Sequence, residues 1–224
     1  FTLLAEWVNQ AGETLARNQV NLVCVETKST GKKLRVVENP ALAESLKKLG
    51  YQLSEGDTAG TAWDEIVLTT NYNFEIKNHL HNGGQVVFLA DPTNATESAS
   101  ATIHPPVGHI ALRAGTSWQG DWANSFSWIK KQGAFSHLPG SPLLEMEWAA
   151  IMPDAVIVGL PSWVLQSHSW AGLALGWVHK VVSLLTVLPY GRGQILTTTF
   201  KLNATTLADD AIAQALFAGM LNLL

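Results

Sequence analysis

Three short apolar stretches alternate with helix-like segments near the start of this chain, and this alternation restricts its fold more than any other feature. The apolar stretches are residues 34–37, 65–70 and 85–90. Strands that are apolar on both faces and separated by helices indicate a parallel sheet covered on two sides. The sequence therefore predicts an α/β fold with a doubly wound, mostly parallel sheet.

Capping residues mark the helices between these strands. Asn39 suits a helix N-cap, Pro40 suits the first helical position, and Gly50 suits the C-terminal end. A shorter helix is predicted over 74–80, ending at the glycines of 82–84. The spacing of these signals supports the β-α-β-α-β order.

The first residues follow a different pattern. A strand is predicted over 2–8 and a turn over 9–12, with extended chain on the far side. A lone two-stranded hairpin is marginal in water. We therefore interpret residues 1–31 as a β-hairpin remnant of a preceding β-sandwich domain, and residues 32–224 as the α/β domain.

The rest of the chain divides into an irregular and a regular part. A Trp-rich insertion at about 91–169 is predicted to be irregular, apart from a helix over 142–151. Strands are predicted after it, joined by a hairpin turn at 190–193, and an amphipathic helix follows from Leu207 to Leu224.

Composition excludes several classes of function. The net charge of -4 opposes binding to nucleic acid and acidic membranes, and the single cysteine, Cys24, excludes an internal disulfide. Only 14% of the residues are charged, which predicts extensive burial or an apolar surface that meets a partner. No segment resembles a signal peptide or a membrane span, so we expect a soluble chain compatible with the cytoplasm.

The motifs of common enzymes are also missing. Glycoside hydrolysis usually needs two carboxylates about 5–10 Å apart, whereas Glu145 and Glu147 are two residues apart on a predicted helix and point to different sides. Serine hydrolase, dinucleotide and histidine metal motifs do not occur. We predict no catalytic residue, no metal site and no cofactor.

Tryptophan is the unusual residue of this sequence. Seven of the nine tryptophans lie between Trp118 and Trp177. Indole rings beside amide and carboxylate groups suit a sugar surface, and the candidate residues are Trp118, Asp121, Trp122, Asn124 and Trp128. The same rings suit loop packing or a protein interface equally well, and these alternatives stay open.

A family resemblance rests on four segments, residues 120–129, 138–144, 176–180 and 190–195. Together they resemble the C-terminal region of bacterial glycoside hydrolase family 2 proteins, which are β-galactosidase-like. The resemblance implies a class I glutamine amidotransferase-like accessory domain, with the glycosidase chemistry in a separate barrel. Cys24 precedes the first strand of the α/β unit, so it does not match the amidotransferase nucleophile.

The resulting hypothesis is a non-catalytic accessory or assembly domain of a larger glycoside hydrolase. Its expected partners are other domains of that enzyme, a second copy of the chain, or carbohydrate. The alternatives are a carbohydrate-binding module and an independent hydrolase that uses a carboxylate of the middle segment. Whether the isolated chain is an enzyme stays open.

Overall fold

A computed structural model of the chain describes residues 2–22, 25, 31–55, 65–90, 108–119, 125–176 and 180–224. Its strands are β1 (Thr2–Val8), β2 (Thr14–Asn21), β3 (Lys33–Val37), β4 (Gln52–Leu53), β5 (Glu65–Thr69), β6 (Gln85–Leu89), β7 (His109–Leu112), β8 (Ser125–Ile129), β9 (Ala155–Val158), β10 (Ser169–Leu175), β11 (Lys180–Tyr190) and β12 (Gly193–Thr198). Its α-helices are α1 (Pro40–Lys48), α2 (Phe74–His81), α3 (Ser162–His168), α4 (Ala204–Asp209) and α5 (Ala211–Leu221). Two 3-10 helices cover Gly133–Phe135 and Met146–Ile151.

One mixed sheet dominates the described chain. Its strand order is β4-β3-β5-β6-β12-β11-β10-β8, and β9 joins it through β11 and carries β7. The five strands from β4 to β12 pair in parallel, and three of them, β3, β5 and β6, are the strands of the predicted β-α-β-α-β pattern. The strands beyond β12 pair antiparallel, so the sheet is half parallel and half antiparallel.

Both faces of the parallel half are covered by helices. Ile66 and Leu68 of β5 point to a first face, in one core cluster with residues of α1, α4 and α5. Val67 points to a second face, in a separate cluster with residues of α2 and α3. This alternation buries each strand on two sides, which explains its nearly continuous apolar sequence. A mixed α/β architecture is therefore confirmed.

Side-chain caps define where the helices begin. The Asn39 side chain accepts a hydrogen bond from the Leu42 amide, and Pro40 occupies the first turn, as predicted. Asn203 and Thr206 form a reciprocal capping box at α4. Each cap satisfies amide groups that have no partner within the helix.

The structure differs from the sequence prediction in the middle segment. Instead of a helix over 142–151, Pro142 and Leu144 exchange backbone hydrogen bonds with β8, and only Met146–Ile151 is helical, as a 3-10 helix. These backbone groups therefore find their hydrogen-bond partners on β8 and not within a helix. The segment also contains β7, β8, β9 and α3, so it is more regular than predicted.

The C-terminal helix also differs from its prediction. Asp210 has an extended backbone and divides it into α4 and α5, because its side chain caps α5 by accepting from the Ala213 amide. Most residues of α5 are buried, so this helix is not amphipathic. It packs against the sheet and against the 3-10 segments, which leaves it no wide solvent face.

The predicted N-terminal hairpin is present. β1 and β2 pair antiparallel in a sheet of their own, with a bulge at Trp7 and Val8. Every residue of β1 is exposed. The boundary at residue 31 and the origin of the hairpin in a preceding domain stay predictions.

A charged cluster ties the edge of the parallel half together. Glu65 is buried and accepts from Arg35 (2.8 Å), Lys33 (3.0 Å) and the Ser54 hydroxyl (2.5 Å). Burial alone would raise the pKa of Glu65, but the three donors and the Arg35 charge outweigh it and lower the pKa to about 2. The carboxylate therefore stays ionised and fixes β3 and β5 in register.

Within the described ranges, each helix is too short or too polar to traverse a lipid bilayer.

Candidate functional site

Two of the five predicted sugar-contact residues lie in the described part of the chain, Trp118 and Trp128. The other three, Asp121, Trp122 and Asn124, lie outside the described residues. The geometry around the two described tryptophans therefore defines the candidate site.

Trp118 belongs to a loop that Arg113 holds in place. The Arg113 guanidinium donates to the Trp118 and Pro153 carbonyls, each at 3.0 Å. Burial lowers the pKa of Arg113, and the Asp154 charge opposes that shift. The indole packs partly buried against the first-face core, with the Lys180 ammonium 5.9 Å from its ring centroid. Part of the Trp118 ring is thus taken up by packing against the core.

Trp128 lies on β8 and points away from the first-face core, against which Trp118 packs. Its neighbour Ile129 belongs to the first-face core, and successive side chains on a strand alternate between faces. On β10, Gly172 pairs with Trp128. A Cβ at Gly172 would lie 2.5 Å from Cζ2 of Trp128, so the indole occupies the space above this glycine. The structure thus places Trp118 and Trp128 on opposite faces of the sheet and does not bring them together.

Other apolar side chains surround Trp128 on the second face. Phe126, Ala174 and Val181 form one cross-strand row over β8, β10 and β11. Leu143 forms a bridge with Trp128 on its other side. We call these five residues, Phe126, Trp128, Leu143, Ala174 and Val181, the outer patch.

The outer patch is open to solvent. Phe126 is 50% exposed, and Leu143 and Val181 are each 45% exposed. Adjacent exposed apolar side chains on one sheet face are a candidate interaction surface, unlike single scattered ones. The strand alternation of 125–129 could have predicted the pairing of Phe126 with Trp128. The contributions of Leu143 and Val181 come from distant parts of the chain and had no sequence signal.

The hairpin carries a second exposed apolar surface. Leu3, Ala5 and Trp7 of β1 face the same side as Ala16 and Val20 of β2, with Asn18 as the one polar residue among them, according to their register. Leu3 is 58% exposed and Trp7 is 72% exposed. This face of the hairpin resembles the inner face of a sheet that packs on another sheet.

The described carboxylates of the middle segment have separate surroundings. Glu145 precedes the 3-10 helix and lies near the Ser141 hydroxyl (3.5 Å), while the carboxylate of Glu147 lies beside Gly140. Asp154 forms an ion pair with Lys201 at 2.7 Å. Among the described residues, no group of three or more His, Cys, Asp or Glu side chains is arranged to hold a metal ion.

The described chain is thus a mixed α/β protein with exposed apolar β surfaces. Its sequence matches no protein-family model and no curated protein. Its structure is similar to that of a cold-adapted β-galactosidase from Rahnella sp. R3, with a TM-score of 0.38 and 12% identity over 85% of this chain and 32% of that one. It is also similar to the exo-β-1,4-mannosidase Op5Man5 from Opitutaceae bacterium strain TAV5, with a TM-score of 0.45 and 13% identity over 85% of this chain and 36% of that one.

The chain therefore spans about a third of the length of each of these two enzymes. Both TM-scores are below 0.5, so neither likeness assigns the chain to a family.

Proposed function

We propose that this chain is an accessory domain that assembles a larger carbohydrate-processing enzyme by packing its outer patch against another domain. The exposed apolar outer patch is the observation that carries this proposal. The resemblance of residues 120–129 and 190–195 to family 2 glycoside hydrolases supplies the carbohydrate context.

The finer fold assignment belongs to the same proposal. The strand order β4-β3-β5-β6-β12, with helices on both faces, fits a doubly wound unit of the class I glutamine amidotransferase-like type. Residues 1–31 would then belong to a preceding β-sandwich, which would cover Leu3 and Trp7. A stand-alone hairpin with these side chains in water would be marginal.

The size of the outer patch favours a partner in the same polypeptide. Burying the exposed half of Phe126, Leu143 and Val181 would contribute on the order of 1 kcal/mol each. Free association loses more than that in translational and rotational freedom. A tethered partner has a high effective concentration, so the same small contact is sufficient.

Charge substitution in the full-length protein tests this proposal. Phe126→Glu should separate the domain from its partner, seen as earlier elution in size-exclusion chromatography and faster proteolysis between domains. Phe74→Glu is the matched control, because Phe74 is 65% exposed at the start of α2, away from the outer patch. Equal behaviour of both variants would refute the proposed interface. Clear hydrolysis of aryl glycosides by the isolated chain would refute the accessory role.

A carbohydrate-binding module is the second candidate, and the partly exposed indole of Trp128 favours it. A ring on an open sheet face is suited to stack on a pyranose. Titration with galactosides and mannosides, followed by tryptophan fluorescence, should give a saturable signal that Trp128→Phe reduces. An interface patch should give no saturable response.

A further inference from the structure

A cleft lies at the opposite end of the sheet from the outer patch, beside the edge strand β4. Its volume is about 350 Å³. Val36, Pro40 and Leu53 give it an apolar wall, and Glu44, Lys47 and Glu55 are charged residues that line it. Ligand sites commonly begin at about 300 Å³, so the cleft suits a molecule with a single ring.

The position of the cleft follows from the topology. From β3 the chain passes through α1 to β4 on one side, and β5 then lies on the other side of β3. In the described sheet β4 is the edge strand, so the cleft lies between α1 and the carboxyl ends of β3 and β4, on the open side of the sheet. Val36 and Leu53 lie near the carboxyl ends of β3 and β4 and border the cleft.

An unusual backbone conformation forms the side of the cleft next to α1. Glu38 has φ of +58°, the left-handed region that residues other than glycine rarely adopt. This turn directs the chain straight from β3 into α1, so that Asn39 and Pro40 border the cleft.

The charges of the cleft select the class of ligand. Lys48 pairs with Glu44 at 2.8 Å. Lys48 does not line the cleft, but once its charge is counted against Glu44, the remaining Lys47 and Glu55 balance each other. Balanced charges around the cleft disfavour strongly charged ligands, since no excess charge compensates their desolvation. Carboxylate, ammonium and amide groups above an apolar wall match a molecule with hydroxyls on its edge and C–H groups on its face.

We propose that this cleft binds a neutral monosaccharide or a polyol of similar size. The apolar face of the ligand packs on Val36, Pro40 and Leu53. Its hydroxyls donate to Glu55 and accept from Lys47. This site is separate from the proposed assembly surface, so either proposal can fail without the other.

The test is sugar titration of the isotopically labelled 224-residue chain, followed by amide NMR. Glucose, galactose and mannose are the neutral probes, with glucosamine and gluconate as the charged ones. Saturable shifts of the amides of β3, α1 and β4 are expected with at least one neutral sugar, below about 100 mM, as for a weak site. Glucosamine and gluconate should bind at least tenfold more weakly.

Two variants locate the binding. Ala43→Leu fills the cleft and should weaken binding at least tenfold, whereas Ala41→Leu places the same side chain on the exposed side of α1 and should bind as the parent does. Lys47→Met removes a ligand contact without filling the cleft, and it should also weaken binding. It therefore still tests the proposal if Ala43→Leu disturbs the fold. The proposal is overturned if no probe saturates, if a charged probe binds best, or if neither Ala43→Leu nor Lys47→Met weakens binding.

Discussion

The indole of Trp128 on β8 lies where Gly172 on β10 would carry a side chain. A Cβ at Gly172 would be 2.5 Å from Cζ2 of Trp128 and 2.6 Å from the carbonyl oxygen of Val182. Glycine on one strand thus makes room for the aromatic ring on the next, and the ring covers the glycine backbone, which is buried. The central ring of the outer patch depends on this pairing.

Gly172→Ala should therefore destabilise the protein and displace the indole. The Val182 carbonyl belongs to the backbone and cannot move aside cheaply, so we expect the free energy of unfolding to fall by about 1–3 kcal/mol. Denaturant unfolding measures this change, and tryptophan emission should shift as the ring moves. Ala174→Ser, two residues along the same strand, is the control and should change both signals little.

Glu65 should give the protein an acid-sensitive stability. Its pKa is about 2 in the folded protein, below the ordinary value of 4.5. The carboxylate therefore stabilises the fold fully above pH 4.5, and this contribution is lost as the pH falls from 4.5 to about 2. A shift of this size corresponds to about 3 kcal/mol.

Glu65→Gln should lower the free energy of unfolding at pH 7 by about this amount and flatten its pH dependence below pH 4.5. Urea unfolding at several pH values measures both effects. Glu44→Gln is the matched control, since the Glu44–Lys48 pair is exposed and should not alter the midpoint measurably. If both variants show the same pH profile as the parent, the buried cluster does not act as described.

The left-handed backbone at Glu38 predicts an unusual tolerance for glycine. Glycine adopts φ of +58° without strain, which stabilises the folded state. This gain should offset two losses, the greater freedom of glycine in the unfolded chain and the hydrogen bond that Asn71 donates to Glu38 (2.9 Å). Glu38→Gly should change the free energy of unfolding by less than about 0.5 kcal/mol, whereas Ala41→Gly within α1 should lower it by about 1 kcal/mol. Glu38→Val should lower it by about 1–2 kcal/mol. Thermal unfolding compares the three variants, and a stable Glu38→Val would contradict the conformation.

Asn203 should stabilise the start of α4 through its capping box. Its side chain accepts from the amides of Thr205 and Thr206, each at 3.0 Å, and Thr206 accepts in return from the Asn203 amide. Asn203→Ala should lower the free energy of unfolding by about 1 kcal/mol. Asn78→Ala, at an exposed position within α2, should not lower it, because alanine favours the helix interior. Chemical denaturation distinguishes the two.

Local patterns in the sequence determined the parallel half of the fold. Apolar runs such as 65–70, and the Asn39–Pro40 cap, act through contacts between near neighbours along the chain, so β3, α1, β5, α2 and β6 were predictable. The same holds for the hairpin of β1 and β2, whose turn and strands are adjacent in sequence. Strand alternation likewise places Phe126 and Trp128 on one side of β8.

Tertiary structure alone decided the rest. The places of β7, β8 and β9 in the sheet and the extended path of Pro142 depend on partners distant in sequence, which supply backbone hydrogen bonds. The outer patch includes Val181 because β8, β10 and β11 align in register, and it includes Leu143 because of its bridge to Trp128. The separation of Trp118 from Trp128 has the same origin. Tertiary packing decides which face of the sheet the Trp118 loop covers, and proximity along the chain does not.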